Sequence, residues 1–127
     1  MVKTEKQRVM LVEDNMVNRK VAVKMLEKMG HDILEVNNGL EAVEAFEKHH
    51  ETIDVILMDI QMPVMGGEEA TRKIRELEKE LSIHTPIIAL TANAMMGDKE
   101  RFLEAGMDDY ISKPVKKNDL IRAFSCL

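Results

Sequence analysis

The chain has no tryptophan, one tyrosine and three phenylalanines, too few aromatic side chains to build a stacking platform for bases or sugars. Its single cysteine, Cys126, can form no internal disulfide, which agrees with a reducing compartment and gives no catalytic pairing. Uncharged apolar stretches run to only a few residues, far below the roughly 20 that span a bilayer. The segment Met1 to Lys6 lacks the apolar region of a signal peptide, so the expected location is cytoplasmic, without membrane contact. Positive charge is not in excess: 18 basic and 23 acidic side chains leave a net charge of -5, the opposite of a nucleic-acid reader's footprint. The four histidines, His31, His49, His50 and His84, do not fall at metal-ligand spacings.

What is present fits one domain over residues 1-127, long enough for a single core and too short for two. Eleven methionines suggest a core filled by adaptable thioethers. Five short β-type runs alternate with five helical patterns, the signature of an α/β fold with a parallel sheet covered by helices on both faces. Strands are expected at Arg8 to Glu13, Asp32 to Val36, Val55 to Met58, Pro86 to Thr91 and Tyr110 to Ser112. Helical spacing relates Val17, Val21, Met25 and Met29, then Val43 and Phe46, then Ala70, Ile74, Leu77 and Leu81, and last Leu120, Ile121 and Phe124. Gly30, Gly39 and Gly106 punctuate helix ends and turns. The charged segment from Gly97 to Ala105 is expected to be the loosest covering helix.

The polar residues at the strand ends carry the chemistry. Strand one ends in Glu13-Asp14, strand three runs into Asp59, strand four ends in Thr91 and strand five runs into Lys113-Pro114. In the doubly wound order 2-1-3-4-5 these ends lie on one sheet edge, at the crevice where such folds bind ligands. Taken singly, Asp59 or Asp14 could cap the following helix, Thr91 could be a buried hydroxyl, and Lys113 could be a solvated lysine. Taken together, three carboxylates repel one another and must either hold protons or recruit a cation. Hard oxygen ligands select Mg²⁺, Ca²⁺ or Mn²⁺ over zinc. Lys113 and Thr91 then suit phosphoryl oxygens, and Asp59 is a carboxylate nucleophile able to form an acyl phosphate.

Across essentially its whole length the chain resembles the receiver domains of two-component response regulators. The resemblance rests on Val9-Met10-Leu11-Val12-Glu13-Asp14-Asn15, Ile56-Leu57-Met58-Asp59, Ala89-Leu90-Thr91-Ala92 and Tyr110-Ile111-Ser112-Lys113-Pro114. It implies a flavodoxin-like receiver fold and phosphorylation of Asp59 by a histidine kinase or a histidine phosphotransfer protein. It also implies Mg²⁺, with Mn²⁺ as substitute, held by Asp14, Asp59 and the Gln61 backbone carbonyl, with Glu13 acting through water. By the same resemblance Thr91 and Lys113 contact the phosphoryl group, Tyr110 is the switch aromatic, Gln61 and Asn93 modulate dephosphorylation, and the bond before Pro114 is cis. The finer pattern, Asp14-Asn15-Met16-Val17-Asn18, Met62-Pro63-Val64-Met65 and Leu90-Thr91-Ala92-Asn93-Ala94, is similar to receivers of hybrid histidine kinases. Asn15, Met16 and Asn18 are the expected docking residues for the phosphotransfer partner, and the domain is expected to be monomeric. Gly66 departs from the aspartate such receivers often carry there, which loosens the loop without touching the reacting groups.

Other readings are a free-standing diffusible regulator and a pseudo-receiver that keeps the fold without turning over phosphate. A flavin binder would need a hydroxyl- or glycine-rich loop where Glu13-Asp14 stands. An aspartyl-phosphate phosphatase would need an acid two residues after Asp59, where Gln61 stands. The domain itself would then catalyse only its own phosphorylation and dephosphorylation.

Overall fold

Alternating apolar residues in five short runs pair into one parallel sheet of order β2-β1-β3-β4-β5, as the sequence pattern predicts. The computed structural model describes residues 6-92 and 98-126. The strands are β1 (Arg8–Val12), β2 (Asp32–Val36), β3 (Val55–Asp59), β4 (Ile87–Thr91) and β5 (Asp109–Ser112). The helices are α1 (Met16–Lys28), α2 (Gly39–His49), α3 (Gly67–Leu81), α4 (Asp98–Ala105) and α5 (Lys117–Ser125). A short 3₁₀ turn, His50–Thr52, follows α2. Boundaries differ from the expected ones by single residues: β3 includes Asp59, β1 stops before Glu13, β4 begins after Pro86 and β5 begins at Asp109.

Side chains alternate across a strand, so each of the central strands feeds two cores. Met10, Val12, Ile56, Met58, Ile87 and Ala89 pack under α2, α3 and α4, where Phe46, Ile74 and Phe102 close the layer. Val9, Leu11, Val55, Leu57, Ile88 and Leu90 face the other way, against Leu26 of α1 and Leu120 and Phe124 of α5. Burial of both faces makes β3 and β4 apolar runs, and it holds their carboxyl ends rigidly at one edge.

The apolar spacing in α1 does not mark its buried face. Val17 is 70% exposed and Val21 46%, while Ala22 and Leu26 are buried with Val23, Met25 and Met29 half-covered. Steps of four residues drift by about 40° each, so residues 17 to 29 sweep roughly 120° and the first members rotate into solvent. Leu81 and Ile121 are likewise exposed, at the end of α3 and on the outer side of α5. Among the described residues no helix is long and apolar enough to cross a membrane.

Candidate functional site

Asp59 is the last residue of β3, and its side chain is buried at the sheet edge. The helix that follows begins eight positions later at Gly67 with Gly66 as its N-cap, so Asp59 caps nothing. Asp14 is no cap either: the N-cap of α1 is Asn15, whose side chain accepts a hydrogen bond from the Asn18 amide at 3.0 Å. The structural roles that could have accounted for the two aspartates therefore belong to their neighbours. Asp14 is exposed, Glu13 and Thr91 are buried, and each of them lines the same crevice of about 330 Å³ as Asp59 and Lys113.

Lys113 binds the site together. Its Nζ donates to Asp59 Oδ1 at 2.9 Å and lies 3.0 Å from Glu13 Oε1. The strand order explains the reach: β1, β3 and β4 are successive neighbours, and β5 beside β4 delivers Lys113 from the loop after Ser112. The Lys113-Pro114 peptide is cis, as the resemblance implies. Burial pushes the Asp59 carboxyl up to about 7, a hydrogen bond to Glu13 adds to the rise, and Lys113 opposes it. Burial alone would lower the Lys113 ammonium, but its bonds to Asp59 and Glu13 outweigh that and raise it. The lysine thus stays charged, while the phosphoacceptor candidate is poised between protonation states at neutral pH.

Carboxylate oxygens of Glu13, Asp14 and Asp59 all lie within 4.8 Å of one another. One ammonium does not neutralise three carboxyls, and an all-oxygen donor set fits a hard divalent cation such as Mg²⁺. Gln61 is exposed and lines the crevice. Asn15, Met16 and Asn18 are exposed on the first turn of α1 beside it. Tyr110 is half-buried on β5, with its ring centroid 6.4 Å from that of Phe102 in α4. Asn93 lies outside the described residues.

Sequence reasoning missed the parts that depend on tertiary closeness. A β-carbon on Gly67 would lie 2.2 Å from the Asp59 carbonyl oxygen, and one on Gly39 would lie 2.5 Å from that of Met65. Both glycines let helix starts press against the loop behind Asp59, and the Gly67 amide donates to the Ile60 carbonyl at 3.0 Å. Arg19 donates to the Glu13 carbonyl at 3.2 Å and also bonds Asn37, tying α1 to the loop after β2. Asp98 and Arg101 of α4 line the crevice as well. Their separation of three residues, one helical turn, was the available signal.

A family model described as the response regulator receiver domain matches residues 9-125. Hybrid signal transduction histidine kinase I of Dictyostelium discoideum is 49% identical over 112 residues, covering 86% of this chain and 6% of that protein. The chain thus spans a small fraction of the length of the curated kinases it matches. Among solved structures, the receiver domain of sensor histidine kinase PA1611 from Pseudomonas aeruginosa, with a magnesium ion coordinated in its active site cleft, is 44% identical. It superposes with a TM-score of 0.84 over 96% of this chain and 97% of that one. The receiver domain of Saccharomyces cerevisiae Ssk1, in co-crystal with the phosphotransfer protein Ypd1, gives a TM-score of 0.90 at 32% identity, covering 97% of this chain and 89% of that one.

Proposed function

The chain belongs to the response regulator receiver family, and from that premise we propose that Asp59 accepts a phosphoryl group from a phosphohistidine on a histidine kinase or phosphotransfer protein. The observation that carries the reading is Lys113 bridging Asp59 and Glu13 at 2.9 and 3.0 Å, in a crevice that Asp14 and Thr91 also line. Each group takes a role its chemistry suits. Asp59 attacks phosphorus through a carboxylate oxygen, and Lys113 holds that carboxylate in place and offers its charge to the incoming phosphoryl oxygens. The Thr91 hydroxyl is the neutral donor on the adjacent strand. Asp14, Asp59 and the Gln61 carbonyl would hold Mg²⁺, with Glu13 behind them, and Mn²⁺ meets the same oxygen preference. When bound, the cation neutralises charge on the transferring group.

Phosphorylation adds a charge of about -1.5 to -2 and new acceptors. That draws Thr91 and Lys113 inward and biases the face built from β4, α4 and β5, where Tyr110 meets Phe102. Gln61 and Asn93 modulate the return reaction by orienting or excluding water. The partner docks on the exposed turn bearing Asn15, Met16 and Asn18, which Val17 and Val21 extend into an uncovered apolar strip. Placement within a hybrid sensor kinase, a cytoplasmic location, a monomeric state, and no contact with nucleic acid or membrane complete the reading.

Acetyl phosphate with Mg²⁺ should add one phosphoryl group to the wild type and none to Asp59→Asn, read by intact mass. Equal adducts on both proteins would sink the assignment. Substituting Met16 and Val17 by serine should slow transfer from a phosphotransfer protein about tenfold and leave acetyl phosphate labelling unchanged, the signature of a lost docking contact worth about 1.4 kcal/mol.

A further inference from the structure

The crevice contains a second cation that the reaction as described does not use. Arg101 lines it from the α4 side. Its Nε lies 3.0 Å from Glu68 Oε1 and one terminal nitrogen lies 3.6 Å from Asp98 Oδ1. The guanidinium carbon sits 5.2 Å from the centroid of the Phe102 ring. Phe102 is buried at 1% exposure, so the arginine is seated on a rigid platform although its own side chain is 51% exposed. Glu68 and Gly67 open α3, so the Glu68-Arg101 pair joins the starts of α3 and α4 at the crevice rim.

Charge in the crevice explains why a rim cation matters. Among its described lining residues, four are acids, Glu13, Asp14, Asp59 and Asp98, and two are cations, Lys113 and Arg101. Four against two leaves the lining formally at -2, and an anionic phosphodonor approaches it against repulsion. Lys113 is committed at the floor to Glu13 and Asp59. Arg101 is paired with partly exposed carboxylates, and such pairs are weak and exchange readily. A guanidinium also presents its donors as a planar fork that matches phosphate oxygens two at a time.

We infer that Arg101 is a positioning residue for the phosphodonor, a rim anchor that captures its anionic phosphoryl oxygens before Lys113 and Asp59 receive them. The inference rests on the phosphoacceptor reading. In the transfer from acetyl phosphate, the bond between phosphorus and the acetyl oxygen breaks with its electron pair leaving on acetate. The new bond comes from an Asp59 carboxylate oxygen. Arg101 makes and breaks no covalent bond and gives up no proton. Glu68 is its holder and its competitor, since the same guanidinium edge serves the carboxylate or the donor.

The test measures the second-order rate of Asp59 labelling by acetyl phosphate, at fixed Mg²⁺ and several salt concentrations, with intact mass as readout. Arg101→Ala should be about fivefold slower, the scale of one lost charge pair near 4 Å in a solvated cleft, with a flatter salt dependence. Arg101→Lys should recover most of the rate. Arg72→Ala, which removes a nearby arginine 4.0 Å from Glu68 that does not line the crevice, should match the wild type. Glu68→Gln separates anchoring from bracing: it weakens the nearer of the two carboxylate contacts of Arg101, leaving Asp98 in place, and should leave the rate equal to or above the wild type. The inference is overturned if Arg101→Ala labels at the wild-type rate, or if Glu68→Gln falls as far as Arg101→Ala, which would make the pair a brace between α3 and α4. A wild type that takes no label, or labels equally well as Asp59→Asn, overturns the phosphoacceptor reading and this inference with it.

Discussion

Gly67 presses its α-carbon so closely on Asp59 that a β-carbon there would lie 2.2 Å from the Asp59 carbonyl oxygen. The contact is with backbone, which cannot swing aside as a flexible side chain would. Either α3 must draw back or the end of β3 must move, and both displace the carboxylate that Lys113 holds. Gly67→Ala is expected to cost roughly 2 to 4 kcal/mol, as overpacking against a rigid neighbour does, and to slow Asp59 labelling in the fraction that remains folded. Gly66, whose added β-carbon would meet only the Ile60 carbonyl at 3.3 Å, sets the contrast. Gly66→Asp should change stability by less than about 0.5 kcal/mol, because glycine and aspartate differ little as N-caps. Urea unfolding with parallel labelling distinguishes the two; equal midpoints would mean the loop is softer than its geometry suggests.

Asp59 makes stability depend on pH in a defined direction. Its carboxyl titrates at about 7 in the folded protein and near 3.9 when unfolded. Between those values the folded state holds a proton that the unfolded state has released, so stability is fully present below about pH 4 and is lost as pH rises towards 7. The span corresponds to a few kcal/mol, shared with Glu13 and Lys113. Without divalent cation the urea midpoint should therefore fall between pH 5 and pH 7.5, and Asp59→Asn should remove that part of the slope. Mg²⁺ held, as proposed, by the ionised carboxylates should stabilise the protein more at pH 7.5 than at pH 5. A slope identical in the wild type and Asp59→Asn would assign it to other groups.

The residues most legible in the sequence were those whose neighbours are set by strand order alone. Asp59, Thr91 and Lys113 follow apolar runs, and a parallel sheet brings the ends of such runs to one edge wherever the helices lie. The spacing of Val17 and Val21 marks α1 as a helix but not its buried face, because fourfold spacing along α1 drifts away from the side that Ala22 and Leu26 bury. Gly39 was legible as helix punctuation, but its close backbone contact, like the roles of Gly67 and Arg101, was illegible for a different reason. Their importance lies in what approaches them from elsewhere in the chain: the Asp59 carbonyl, the Met65 carbonyl and the Glu68 carboxylate.

Val64 stores strain in the loop behind Asp59. It has φ of 70° and is 75% exposed, and the Met65 amide donates to the Pro63 carbonyl at 2.8 Å across it. That bond closes a γ-turn whose central residue has positive φ, a rare and strained turn; a β-branched side chain there is disfavoured by roughly 1 to 2 kcal/mol, and burial at this position returns nothing. Val64→Asn tolerates the conformation without glycine's entropy loss and should stabilise the protein by about 1 kcal/mol. Val64→Gly should gain less, because its unfolded chain is more flexible. Denaturation midpoints check the order; a loss of stability in both variants would mean that the valine makes a contact worth more than its strain.

Arg75 closes a polar cluster at the opposite edge of the sheet, below the start of β4. It donates to the Gly106 and Thr85 carbonyls at 2.8 Å each, pairs with Glu78 at 2.5 Å and pairs with Asp108 at 2.8 Å. Glu78 is buried at 3% exposure and also accepts from the Thr85 amide, while Asp108 accepts from the Ile87 amide at 2.8 Å. Removing the guanidinium leaves the Glu78 carboxylate without its cation and two carbonyls without a donor. Arg75→Ala is expected to cost about 3 to 5 kcal/mol, the penalty of breaking a buried pair from one side. Arg75→Ala combined with Glu78→Ala should cost less than the two single substitutions summed, since the second removes the orphaned charge. The cluster sits at the amino end of β4, whereas Asp59 pairs with Leu90 near its carboxyl end. Asp59 labelling per folded molecule should therefore stay within about twofold of the wild type, as expected for sites well apart. Unfolding curves and intact-mass labelling on the same samples measure both, and a labelling defect larger than the folded fraction explains would reveal coupling across the sheet.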